Sequence, residues 1–113
     1  MKLIIAYVQP NKLVDVKRAL DDAEVHKMSV ISALGCGQQR GYEENYRGTA
    51  VEVNLMKKVR FEIAVNDDYV EPTIDAIVGA SRTGNIGDGK IFVLPIGDAI
   101  RVRTGERGPK SIA

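Results

Sequence analysis

The chain has 113 residues, with 16 Lys and Arg against 15 Asp and Glu and a formal charge of +1. That length fits one domain spanning 1–113, and a domain of this size buries roughly two-thirds of the surface its unfolded chain exposes. An apolar fraction of 44% and a charged fraction of 27% exclude a disordered chain, and near-neutrality removes the electrostatic case for nucleic acid or an anionic membrane as partner.

The apolar runs are a few residues long, far short of the roughly 20 needed to span a bilayer. Lys2 is followed by Leu3 to Val8, too short for the core of a signal peptide, and Gln9-Pro10 closes it. A cytoplasmic protein is therefore expected. A single cysteine, Cys36, excludes an internal disulfide, and a single histidine, His26, leaves little room for a His-rich metal site or triad.

Leu3 to Val8 reads as a strand stopped by Pro10, apolar on both alternating sets, so both of its faces should be covered. Asn11 is a candidate N-cap, and Leu13, Val16 and Leu20 set a first helix over about 12–23. Met28 to Leu34 is a second strand ended by Gly35. Residues 36–56 carry mixed charge and no sustained helical periodicity. Val59, Phe61, Ile63 and Val65 alternate with Arg60 and Glu62 as a third strand with one buried face. Asn66-Asp67-Asp68 supplies caps, Pro72 fits a first helical turn, and Ile74, Ile77 and Val78 form the inner stripe of a second helix. Ile91 to Leu94 reads as a fully buried strand, and Ile100 to Arg103 as a short final one. The order β-α-β-β-α-β predicts an α+β, ferredoxin-like fold. Its helices cover one sheet face only, which leaves self-association as the simplest cover for the other. The insert between strands two and three is too long for a plain hairpin, which points to function there.

Of 11 glycines, eight fall in two clusters: 35, 37, 41 and 48, then 79, 84, 87 and 89. Two such clusters suggest two loops that together hold a ligand. Gly84 to Lys90 has the spacing G-x-x-x-x-G-K of a phosphate-binding P-loop. Two features argue against a P-loop. Ile91 stands where a Ser or Thr would bind Mg²⁺, and the segment leaves a helix to enter a strand. A glycine-rich turn beside a lysine is still an anion-binding concavity, and Arg101 with Arg103 on one strand face would suit a polyphosphate. A helix-ending glycine followed by solvent-facing Lys and Arg accounts for the same residues.

The run Thr83-Gly84-Asn85-Ile86-Gly87-Asp88-Gly89-Lys90-Ile91-Phe92-Val93, with Ile100-Arg101-Val102-Arg103-Thr104-Gly105-Glu106, resembles the C-terminal signature of the PII nitrogen-regulatory signalling proteins. Gly35-Cys36-Gly37-Gln38-Gln39-Arg40-Gly41 and Tyr46-Arg47-Gly48 resemble the start and tip of that family's T-loop, here about 36–56, with a C-terminal tail of about 104–113. The resemblance runs from the first strand to about Glu106. It implies a non-enzymatic homotrimer with ATP or ADP in the three clefts between neighbours, sensing adenylates and 2-oxoglutarate. By position, Gly87, Asp88, Gly89 and Lys90 would wrap the phosphates, with Arg101 and Arg103 reaching from the adjacent subunit. Ser29, Gly35, Gly37 and Gln38 would lie along the nucleotide, with Glu62 at the adenine. Gln39 would coordinate a Mg²⁺ bridging ATP and 2-oxoglutarate, and Lys58 would pair a carboxylate of the oxoacid. Tyr42, Tyr46 and Arg47 would contact partners: an ammonium transporter, whose pore Arg47 would enter, or enzymes of nitrogen metabolism. A membrane would be met only through such a transporter.

The chain departs from the family's T-loop signature Tyr-Lys/Arg-Gly-Ala/Ser-Glu-Tyr. It reads Tyr46-Arg47-Gly48-Thr49-Ala50-Val51, so the second tyrosine, uridylylated in many bacterial members, is Val51. Thr49 stands where some members carry a phosphorylated serine, and Gln38 where many have arginine. Two further readings stand beside the lead. One is a specialised paralogue serving carbon metabolism or nitrogenase. The other is a small nucleotide-hydrolysing enzyme, for which Asp88 is the one candidate base near the glycines. Cys36 reads as a small residue in a tight turn, and His26 as a surface histidine.

Overall fold

The computed structural model describes residues 1–36, 42–46, 49–53 and 55–113, with the backbone alone for 42–46 and 49–53. Strand β1 (Lys2–Val8) buries Ile4, Ala6 and Val8 completely or nearly so, while Leu3, Ile5 and Tyr7 point to the opposite face. It is central. Antiparallel β5 (Met56–Val65) pairs it on one side and β6 (Gly89–Pro95) on the other, and β2 (Ser29–Gly35) adds to the outer edge of β5. The order β2-β5-β1-β6, with every pair antiparallel and two helices as connections, is the ferredoxin-like arrangement.

Helix α1 (Leu13–Asp22) contributes Val16 and Leu20 to the core and α2 (Val70–Ser81) contributes Ile77. These pack with Phe61, Ile63, Val59 and Val65 of β5, whose alternation fixes which face of the sheet the helices cover. The buried line of α2 is Thr73, Ile77 and Ser81, so Ile74 and Val78 flank the stripe instead of centring it. Thr73 is accommodated because its hydroxyl donates to the Tyr69 carbonyl at 2.6 Å, within its own helix.

Four expectations are corrected. Asn11 does not cap α1. Pro10 starts a 3₁₀ turn (Pro10–Lys12) ahead of the helix, and no side chain caps either start. Asn66 likewise caps nothing: its amide donates to the Pro109 carbonyl at 3.1 Å, and a 3₁₀ turn (Asp67–Tyr69) leads into α2. Strand β6 is not fully buried, because it is a sheet edge: Phe92, Val93 and Leu94 remain 47, 43 and 41% exposed. The final strand does not form. Ile100 makes an isolated bridge to Arg107, and the chain turns back so that the Arg101 amide donates to the Glu106 carbonyl (2.8 Å) and the Gly105 amide to the Arg101 carbonyl (2.7 Å).

Within 36–56 there is structure that periodicity missed. Strands β3 (Tyr42–Tyr46) and β4 (Thr49–Val53) pair antiparallel, Tyr46 opposite Thr49 and Tyr42 opposite Val53, as a sheet separate from the main one.

Candidate functional site

The face of the sheet away from the helices carries most of the charged strand residues. Register makes this explicit. One row across the sheet is Ile31, Arg60, Tyr7 and Lys90, and a second is Ser29, Glu62, Ile5 and Phe92. Arg60 stacks over the Tyr7 ring at 5.7 Å, donates to its hydroxyl at 3.1 Å and pairs with Glu62 at 2.9 Å. Tyr7 in turn meets Phe92 edge-on at 6.5 Å. Ser29, Glu62 and Lys90, expected at a nucleotide, and Lys58, expected at the oxoacid, therefore share one face.

The second glycine cluster closes one end of that face. Gly84, Gly87 and Gly89 have φ of +87°, +101° and +110°, the left-handed region that L side chains avoid. At Gly89 a second constraint applies: a Cβ would lie 1.7 Å from the Tyr7 carbonyl oxygen, so only glycine lets β6 begin its pairing with β1 here. Asp88 holds the turn together. Its carboxylate accepts from the Thr83 amide (2.7 Å), the Gly84 amide (2.8 Å) and the Thr83 hydroxyl. Those bonds, the Thr83 hydroxyl first, hold its pKa below the usual carboxylate range. The arrangement uses Asp88 as an organiser of the turn, with its acceptor oxygens already committed.

Extending the β1–β5 register by one residue beyond Val8 and Val59 brings Gln9 opposite Lys58. The two side chains meet on a single atom, the Gly87 carbonyl oxygen: Gln9 donates at 2.7 Å and Lys58 at 3.1 Å. Gly87, Asp88, Gly89, Lys58 and Lys90 thus come together at one end of the sheet, with Gly35 ending β2 beside the Lys58 stem. Gln9 was not legible as a member of the group. The turn that carries Gly87 is 78 residues away in sequence, and no spacing rule links the two.

Arg101 and Arg103 do not share a strand face. The Arg101 guanidinium donates to Glu106 (3.2 Å) and to the carbonyls of Lys110 (3.2 Å) and Ser111 (3.4 Å), while Arg103 lies exposed in the turn beside it. Gly37, Gln38, Gln39 and Arg47 lie outside the described residues. Tyr42 and Tyr46 lie at the two ends of β3. Cys36 is an exposed free thiol just after β2. His26 is an exposed residue 3.3 Å from Asp21, as a surface histidine should be. Among the described residues no group of three His, Cys, Asp or Glu side chains is placed to hold a metal ion, and no helix is long and apolar enough to cross a membrane.

The family model of nitrogen regulatory protein P-II matches residues 1–106. The chain belongs to the P-II family. It is 49% identical over 114 residues to nitrogen regulatory protein GlnK1 of Methanosarcina mazei, covering 99% of this chain and 97% of that protein. It is also 49% identical over 112 residues to nitrogen regulatory protein P-II of Cereibacter sphaeroides, covering 99% of this chain and 100% of the relative. Nitrogen regulatory protein P-II 2 of Methanothermobacter thermautotrophicus is 44% identical over 112 residues. All three are named as regulators. The P-II match takes in both glycine clusters, the hairpin β3–β4 and the Arg101–Glu106 turn within one continuous span.

Proposed function

We propose that this P-II protein is a non-enzymatic sensor that binds ATP or ADP and, in the presence of Mg²⁺ and ATP, 2-oxoglutarate. Occupancy changes the conformation of the 36–56 segment, through which the protein binds its targets. The carrying observation is the shared face running from the glycine turn to Glu62. Lys58 and Glu62 stand four residues apart on β5, roughly 13 Å at strand rise. A ligand that touches both the lysine end and the Glu62 end must be elongated, anionic at one end and able to hydrogen-bond at the other. A nucleoside polyphosphate has that shape and polarity. The glycine turn fits phosphates because no Cβ crowds it at Gly84, and Lys90 stands at its side.

Lys90 would hold phosphate oxygens together with the amides of the turn, and Arg101 and Arg103 of an adjacent copy would complete the cage. Gln39 would take the Mg²⁺, and Lys58 would neutralise a carboxylate of the oxoacid. The metal supplies the charge compensation without which a dicarboxylate cannot sit beside a triphosphate. Asp88 favours the sensor over the hydrolase. A carboxylate that already accepts three hydrogen bonds and resists protonation is a poor general base. Targets of the sort expected for the T-loop are an ammonium transporter and enzymes of nitrogen metabolism, with Tyr42, Tyr46 and Arg47 as contacts.

Calorimetric titration of ATP into the wild type and Lys90→Ala tests the reading. A charge-assisted bond is worth about 1.5–3 kcal/mol, so the variant should bind roughly ten- to a hundredfold more weakly. Equal affinity removes Lys90 from the site, and no binding to the wild type ends the nucleotide reading.

A further inference from the structure

Arg60 stands on β5 between Ile31 of β2 and Tyr7 of β1, on the open face of the sheet. Its guanidinium is engaged at three points. Nη1 donates to the Tyr7 hydroxyl at 3.1 Å, Nη2 lies 2.9 Å from Oε1 of Glu62, and Cζ sits 5.7 Å from the centre of the Tyr7 ring. The remaining donor, Nε, is buried with no partner among the described residues. A buried donor left unpaired is costly, so the side chain is not placed to satisfy itself. Nor is it placed for stability: the two partners of the Arg60–Glu62 pair are 32 and 33% exposed, where an ion pair contributes little. What the pair fixes is direction. Tyr7 holds Arg60 by ring and by hydroxyl, and Phe92 braces Tyr7 edge-on at 6.5 Å. Glu62 is the last member of that chain and is held with it.

We propose that Arg60 is a positioning residue: it fixes the Glu62 carboxylate as an oriented acceptor and so sets which base the site takes. The inference rests on the nucleotide reading, in which phosphates lie at the glycine turn and the base toward Glu62, and adds to it selectivity at the base end. An ionised carboxylate only accepts hydrogen bonds, so the group that meets it must donate. The exocyclic amino group of adenine donates. Hypoxanthine carries a carbonyl oxygen at that position and would set two acceptors face to face. A polar group rejects an analogue that cannot pair with it only if it cannot turn away. Arg60 is what keeps Glu62 from turning away. A carboxylate free to rotate would accommodate either base. A residue that only stabilised the sheet would weaken both nucleotides together.

The test is calorimetry on the full-length protein, titrating ATP and inosine triphosphate separately with Mg²⁺ present. Two variants are compared with wild type. Arg60→Met keeps an unbranched side chain and removes every donor; Tyr7→Phe keeps the ring and removes the hydroxyl that anchors Arg60. Thermal unfolding without ligand establishes that each is folded. Arg60→Met also removes a positive charge from a site for polyanions, which weakens both nucleotides by the same factor, so the readout is the ratio of the two affinities. Wild type should bind ATP at least about tenfold more tightly than inosine triphosphate. Arg60→Met should bring that ratio to within about twofold of one, and Tyr7→Phe should lower it about threefold. A ratio unchanged in either variant overturns the proposal, whatever the separate affinities do. Equal binding of the two nucleotides by wild type overturns it as well and leaves the nucleotide reading standing. A wild type that binds neither overturns that reading too.

Discussion

Asp88 is engaged through bonds that its neutral form makes less well, so its contribution has a pH dependence of known sign. Its pKa in the folded protein lies below the ordinary carboxylate value of about 4, because the Thr83 hydroxyl and the Thr83 and Gly84 amides donate to the ionised group. A group with a depressed folded pKa stabilises the fold above its unfolded value, and that stabilisation is lost as pH falls through the folded one. Asp88→Asn should therefore unfold at a lower temperature than wild type near pH 7, with the gap closing below about pH 4. Thermal melts at pH 7 and pH 3 read this directly. A gap of the same size at both pH values would mean that the charge plays no part in holding the turn. Asp98 behaves in the same sense through its pairing with Arg107, so wild type itself should also lose stability over that range.

The elements were legible where one face alternates strictly and less so elsewhere. Phe61, Ile63 and Val65 announce β5, and Val16 with Leu20 announces α1, because each pattern matches one period only. The helix starts were misread, since Pro10 and Asp67 begin 3₁₀ turns that precede the α-helices and leave Asn11 and Asn66 without a capping role. Arg101 and Arg103 alternate as a strand would, but Gly105 and Gly108 take φ of +73° and +76° and fold the chain back before a ladder forms. Hairpin β3–β4 escaped because its strands are five residues each, and the alternation of Thr49, Val51 and Val53 is too short to set a period on its own. Of the site, the glycine turn and Lys90 were visible as a motif, and Gln9 was invisible because its role depends on tertiary register alone. The hairpin carries a prediction of its own. Uridylylation needs a phenolic oxygen; Val51 on β4 has none, and Tyr46 lies five residues earlier on β3. Intact-mass spectrometry of the protein from nitrogen-starved and nitrogen-replete native cells should show no uridylyl adduct. An adduct under starvation would transfer the role to Tyr46 or Tyr42.

At the scale of the molecule, one chain is poorly closed. A compact monomer of 12.3 kDa exposes about 6,100 Å² of surface, whereas this chain exposes 7690 Å². Part of the excess belongs to the open face and edges of the sheet, where Ile31, Phe92, Val93 and Leu94 are more than two-fifths exposed. Neither α1 nor α2 covers that face, so further copies of the chain are the natural cover, and a homotrimer is expected. Sedimentation equilibrium at micromolar concentration should give three times the chain mass. A monomer would leave the open face unexplained and separate Arg101 and Arg103 from any neighbour's phosphates.

The sensing account stands or falls on conditional binding. On the proposed reading, ATP with Mg²⁺ would bring to the site a cation that ADP would not hold there, and a dicarboxylate would require that compensation to sit beside the phosphates. The decisive measurement is a calorimetric titration of 2-oxoglutarate into the protein under three conditions: with ATP and Mg²⁺, with ADP and Mg²⁺, and with ATP and a chelator. The account predicts saturable binding in the first condition and none in the other two. Binding of equal strength in all three, or in none, would contradict it.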